Sequence, residues 1–146
     1  MGYFIEFSLL VGITSVLGGD GTHPKCLSKA GDQANNIRNW SFNDSKKLKC
    51  YYQCLLISEN IIPRQGGELN GKNYFKLFNT EELQANADNC LDYKLVSTAH
   101  QCDGAYEIFK CNYNANPAEF KKSMIAYFDN KGSTKKSSKK NKKSKN

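Results

Sequence analysis

The sequence predicts an all-α domain of about six short helices, stapled by disulfides. Three observations carry this. Helix caps and apolar stripes at helical spacing recur along the chain, while strand alternation is poor and Val96 is the one valine after residue 18. Six cysteines, an even number, lie at 26, 50, 54, 90, 102 and 111. The opening stretch, MGYFIEFSLLVGITSVLGG, has an apolar run from Phe7 to Leu17 that is shorter than the roughly 20 residues a membrane span needs. It reads as a signal peptide cut after Gly18, although its first residues carry no Lys or Arg. Export places the cysteines in oxidising surroundings, where thiols pair. Two sequons, at Asn39 and Asn43, agree with export.

Charge divides the chain further. Residues 19–130 hold 13 basic and 13 acidic side chains, whereas residues 131–146 hold eight lysines, no acid and no apolar residue. The expected organisation is a signal peptide at 1–18, a helical body at 19–130 and a disordered lysine-rich tail at 131–146.

Within the body, SKKLKCYYQCLLISENII sets Leu48, Tyr51, Leu55 and Ile62 on one stripe, with Pro63 and Gly66–Gly67 as the stop. NTEELQANADNCLDY starts at Asn79 as cap, with Glu82 three residues on. TAHQCDGAYEIFKC repeats the pattern with Thr98 and Gln101, and its stripe is Cys102, Ala105, Tyr106 and Phe109. NPAEFKKSMIAYFDNKG is bounded most clearly. Asn116 caps, Pro117 takes the first helical position, Glu119 completes the box, Phe120, Met124, Tyr127 and Phe128 form the apolar face, and Gly132 suits the stop.

Cys50 and Cys54, in KCYYQC, stand at i and i+4 on one helix, so their side chains leave the same face and a bond between them is awkward. Each must reach a different partner, which makes this helix the hub of the fold. A zinc clip would need two more ligands, and the two histidines, His23 and His100, are far apart in no ligand spacing. A redox pair would have two residues between the cysteines, not three. Structural disulfides are the reading that remains, and six cysteines alone leave 15 connectivities open.

The cysteine intervals are 23, 3, 35, 11 and 8 residues. The three- and eight-residue intervals, with KLKCYYQCLLISENII followed by GGELNGKNY, resemble the insect odorant-binding proteins of the pheromone and general odorant-binding type, over about Lys25 to Phe120. The resemblance implies the pairs Cys26–Cys54, Cys50–Cys102 and Cys90–Cys111. It also implies helices around an apolar cavity that holds a small hydrophobic ligand. Position for position, Tyr52 and Leu56 would face the cavity from the third helix and Phe75 and Phe78 from the fourth. Leu83, Ala87 and Leu91 would face it from the fifth, and Ile108 from the sixth. Trp40 and Phe120 would close the ends, and Tyr52 and Tyr106 are the candidate hydroxyl donors. Two departures stand out. The family's long helix before the first cysteine is reduced to Gly19–Lys25, and a capped helix and lysine tail follow the sixth cysteine. Helix Pro117–Asp129 is expected to cover the wall that the short start leaves open.

No catalytic constellation is legible. A nucleophilic triad needs a histidine base; His23 lies beside Pro24 at an expected flexible start, and His100 reads as solvent-facing. QGGELNG lacks the Lys-Ser/Thr of a phosphate loop, and Glu81–Glu82 suit the dipole at a helix start. No cofactor or metal is expected. The expected partner is a small hydrophobic ligand carried by a secreted monomer or weak dimer. The rival reading is a secreted venom- or saliva-type effector whose basic tail meets a membrane receptor or an anionic surface. Without aromatics between the lysines, no specific nucleic acid is expected.

Overall fold

The computed structural model describes residues 20–64, 68–91 and 101–143, with the side chains of Gln101 and residues 132–143 left undescribed. Among these residues there are seven α-helices and no strand: α1 Pro24–Lys29, α2 Ala34–Arg38, α3 Lys46–Ser58, α4 Gly71–Phe75, α5 Glu81–Cys90, α6 Gln101–Ala115 and α7 Pro117–Lys143. A short 3-10 turn, Gly31–Gln33, joins α1 to α2. The expected signal peptide, Thr98 and His100 lie outside the described residues.

The three disulfides are Cys26–Cys54, Cys50–Cys102 and Cys90–Cys111. They tie α1 to α3, α3 to α6 and α5 to α6, so α3 carries two bridges from one face. The loops they close span 28, 52 and 21 residues, for which loop-closure entropy gives about 3–4 kcal/mol each. The main packing interface is α3 against α6. From α3, Leu48, Tyr51, Tyr52, Leu55 and Leu56 are buried, and from α6, Ala105, Tyr106, Ile108 and Phe109.

Helix ends follow local chemistry, with some differences from the sequence reading. α3 stops at Ser58, before Pro63. Asn60, at φ 58°, and Ile61 close it, donating to the carbonyls of Ile57 (3.0 Å) and Leu56 (2.8 Å). This is the paired 6→1 and 5→2 closure of a Schellman end. Ile62 is therefore beyond the helix, though it remains buried. α2 ends the same way through Trp40, at φ 56°, with Trp40 donating to Ile37 (3.2 Å) and Ser41 to Asn36 (2.8 Å). The cap of α5 is Thr80, not Asn79: its Oγ1 accepts from the Leu83 amide at 3.1 Å. Asn116 does cap α7, accepting from Glu119 N at 3.3 Å, with Pro117 first in the helix. α7 runs on past Gly132 to Lys143, so its backbone is helical where composition predicts a stop and then disorder. Lysine is a good helix former, and one glycine costs only ~1 kcal/mol.

His23 is no flexible start. Its Nδ1 accepts from Cys26 N at 3.3 Å and caps α1, its amide donates to the Tyr51 hydroxyl at 2.9 Å, and its ring meets Phe128 edge-on at 5.9 Å. The neighbouring Gly21, at φ 81°, lies against α7 so closely that a Cβ there would meet Ile125 N and Met124 Cβ at 3.2 Å. The short N-terminal segment is thus packed directly on α7.

Candidate ligand-binding interior

An aromatic cluster fills the space between α3, α6 and α7. Tyr52, fully buried, stacks on Phe109 (5.0 Å between centroids) and on Phe42 (5.8 Å) and meets Tyr51 edge-on at 5.0 Å. Tyr106 stands 6.4 Å from Tyr52, with the ammonium groups of Lys49 and Lys110 over its ring at 5.3 and 5.6 Å. Farther along, Phe120 from α7 meets Trp40 edge-on at 5.0 Å, Phe78 at 6.2 Å and Phe109 at 6.3 Å, and Trp40 stacks on Tyr113 at 5.9 Å. Such pairs add ~0.5–1.5 kcal/mol each beyond their area.

Polar groups are few in this interior, and two are unmatched. The Tyr74 hydroxyl donates to Ala87 O at 2.9 Å and accepts from Asn112 Nδ2 at 3.1 Å, while Asn112 Nδ2 also donates to Ile108 O at 2.9 Å. Asn112 Oδ1 and the Tyr52 hydroxyl are buried with no hydrogen-bond partner. Burial drives the Tyr52 hydroxyl well above the usual tyrosine range, with the neighbouring Tyr51 and Tyr106 adding to it. It stays neutral, with both its donor and acceptor capacity unspent. An orphaned buried hydroxyl costs ~1–3 kcal/mol.

Of the residues expected to face a ligand, Trp40, Tyr52, Leu56, Phe78, Leu83, Ala87, Tyr106, Ile108 and Phe120 are all buried in one core cluster. Phe75 and Leu91 are partly buried and pack against it. Phe78 comes from the turn after α4, and Leu91 from the cap of α5. These side chains pack together in one cluster. Sequence reasoning missed Phe42, Tyr74, Asn112 and Tyr113. Tyr113 shares the face of α6 that carries Tyr106 and Phe109, so helical spacing could have found it. Phe42 sits in an irregular segment, where no period marks it.

The sequence matches the PBP/GOBP family over residues 20–115. The chain belongs to this family. The pheromone and general odorant-binding proteins are binding and carrier proteins for small hydrophobic ligands, and they are typically secreted. No curated protein and no solved structure gives a significant match. The match to the PBP/GOBP family ends at Ala115, so α7 lies wholly beyond it. Among the described residues, no helix is long and apolar enough to cross a membrane.

Proposed function

We propose that the protein is a secreted carrier of small hydrophobic molecules of odorant or pheromone type, taken up in the aromatic interior around Tyr52. Residues 1–18 act as its signal peptide, and residues 19–130 hold the ligand. The observation that carries this reading is the unpartnered hydroxyl of Tyr52, buried among Phe42, Tyr106 and Phe109. A ligand with one polar group inserted among these rings satisfies the hydroxyl, and its apolar part gains about 25 cal/mol per Å² removed from water. Trp40, Leu56, Phe75, Phe78, Leu83, Ala87, Leu91, Ile108 and Phe120 supply the rest of the contact surface. The disulfide frame limits the ordering lost on binding.

The test is titration of the oxidised protein with an environment-sensitive apolar fluorophore, followed by displacement with volatiles, terpenoids and aliphatic alcohols. Saturable one-to-one binding with selective displacement is expected. A correctly bridged protein that shows no saturable binding overturns the proposal.

The run of eight lysines in residues 131–146 favours a second role, contact with an anionic surface. That contact weakens steeply as salt rises, whereas apolar uptake does not. Salt-independent retention on anionic vesicles sinks this second reading.

A further inference from the structure

A cleft of about 440 Å³ opens away from the aromatic interior, within the roughly 300–1,000 Å³ of small-molecule sites. One wall is a single face of α7: Ser123, Ala126, Tyr127, Asn130 and Lys131, at i, i+3, i+4, i+7 and i+8. The other is the turn that joins α4 to α5, with Lys76, Leu77 and Asn79. None of the side chains expected to hold ligand in the interior lines it.

The cleft is preformed at one end and basic at its margins. Ser123 is buried, donates to Leu77 O at 2.6 Å and accepts from Asn79 N at 3.0 Å, pinning turn to helix. Lys131 stands eight residues farther along α7, about 12 Å along the helix axis. Its ammonium gives one hydrogen bond to the buried carboxylate of Glu59, which also accepts from the Tyr127 hydroxyl at 2.6 Å. Two of its three donors remain. Lys76 is exposed and has no ion pair or hydrogen-bond partner among the described residues. The exposed lining is mainly apolar, and it contains no carboxylate.

We propose that this cleft binds a small amphiphile with a single carboxylate. Its aliphatic chain lies along Ala126 and the Tyr127 ring, and its head group meets Lys76. The charge decides the class: the lining holds no carboxylate, Lys131 is already paired with Glu59, and the Lys76 ammonium at the margin has no partner among the described residues. A cation would be repelled, and a neutral ligand would leave Lys76 unused. The apolar part is short and shut at Ser123, which suits a medium chain and excludes a polymer.

Octanoate and octanol, titrated into the full oxidised chain by calorimetry, are the probes. Octanoate should bind saturably, and Lys76→Gln should weaken it about fivefold, the scale of one charge-assisted contact, while leaving octanol unchanged. Ala126→Trp, which fills the floor, should remove octanoate binding. Tyr52→Phe should leave it intact, which separates this cleft from the interior carrier site. No saturable octanoate binding, or Lys76→Gln and Ala126→Trp variants that bind octanoate like the wild type, or loss in Tyr52→Phe instead, overturns the proposal.

Discussion

Replacing Tyr52 by Phe gives effects of opposite sign on stability and on binding. The substitution keeps the ring and its stacking on Phe109 at 5.0 Å and on Phe42 at 5.8 Å. It deletes a hydroxyl that is buried with no partner. An unsatisfied hydroxyl in such a place costs ~1–3 kcal/mol, and its removal should return that amount to the unliganded protein. For a domain of this size, each kcal/mol moves the midpoint by about 4 °C, so the melting temperature should rise by about 4 °C or more. Ligands with one polar group should lose the bond they make to that hydroxyl. Net hydrogen bonds are worth ~1 kcal/mol, which is about fivefold in Kd. A pure hydrocarbon of equal size should bind as well as before. Thermal unfolding followed by circular dichroism and fluorophore displacement read the two effects separately. A Tyr52→Phe protein that melts lower than wild type would refute the reasoning, because the hydroxyl would then have been stabilising the fold. Equal losses for polar and hydrocarbon ligands would refute the assignment of the hydroxyl as the anchor.

Gly21→Ala should destabilise by about 2 kcal/mol or more, since the left-handed backbone costs ~1–2 kcal/mol for alanine and the new Cβ meets Ile125 N at 3.2 Å; denaturant unfolding indistinguishable from wild type would contradict this. Glu59→Gln removes the charge at the point where Tyr127, Lys131 and His23 converge. It should cost about 1–3 kcal/mol and speed amide exchange in α7 more than in α6. Burial raises the Tyr51, Tyr52 and Tyr74 hydroxyls above their ordinary value of 10.0. Below pH 10 both folded and unfolded chains keep these protons, so nothing is lost there. Above it the unfolded chain releases protons that the folded one retains, and stability should fall by about 4 kcal/mol per pH unit for the three. Tyrosinate absorbance from these rings should appear together with unfolding, and ionisation without unfolding would count against their burial. Deleting residues 117–146 takes Phe120 and Met124, both fully buried, out of the core and should abolish both cooperative unfolding and ligand binding. Unchanged fluorophore affinity in that variant would show that α7 is dispensable.

Local chemistry was the legible part of this sequence. Asn116–Pro117 marked the start of α7 because a cap and a proline act within one turn. The i, i+4 pair Cys50 and Cys54 marked α3 as the hub because parallel side chains need different partners. The end of α3 was misplaced because its left-handed closing residue is Asn60 and not glycine, and Trp40 hides the end of α2 in the same way. At Trp40 the strain is offset by burying the largest side chain in the protein, a tertiary gain that has no local sign. Periodicity said which side of each helix turns inward, but not whether the inward space is open. That depends on how rings from α3, α6, α7 and the Phe42 segment interlock. His23 was misjudged for the same reason, since its contacts with Tyr51 and Phe128 come from residues distant in sequence. The cleft beside α7 was invisible because the turn at residues 76–79 meets the helix only in the folded chain.

α7 completes a core whose other buried residues lie within the family match. The family match ends at Ala115, yet the next helix buries Phe120 and Met124 among residues that lie within the match. Gly21 rests against Met124 and Ile125, and His23 against Phe128, so the described segment before Cys26 uses α7 as its support. Three ties hold the helix in place. Asn116 Nδ2 reaches Glu82 at 3.2 Å, Ser123 pins the turn at Leu77 and Asn79, and Tyr127 with Lys131 engages Glu59 at the end of α3. These ties fall on three successive segments of the helix and reach α5, the α4–α5 turn and α3 in order. A helix tied so often is a wall and not a lid. Its inner face completes the aromatic interior, and its Ser123–Lys131 face forms one side of the cleft. A single helix beyond the family match therefore both closes the aromatic interior and presents a second surface that the matched residues do not provide alone.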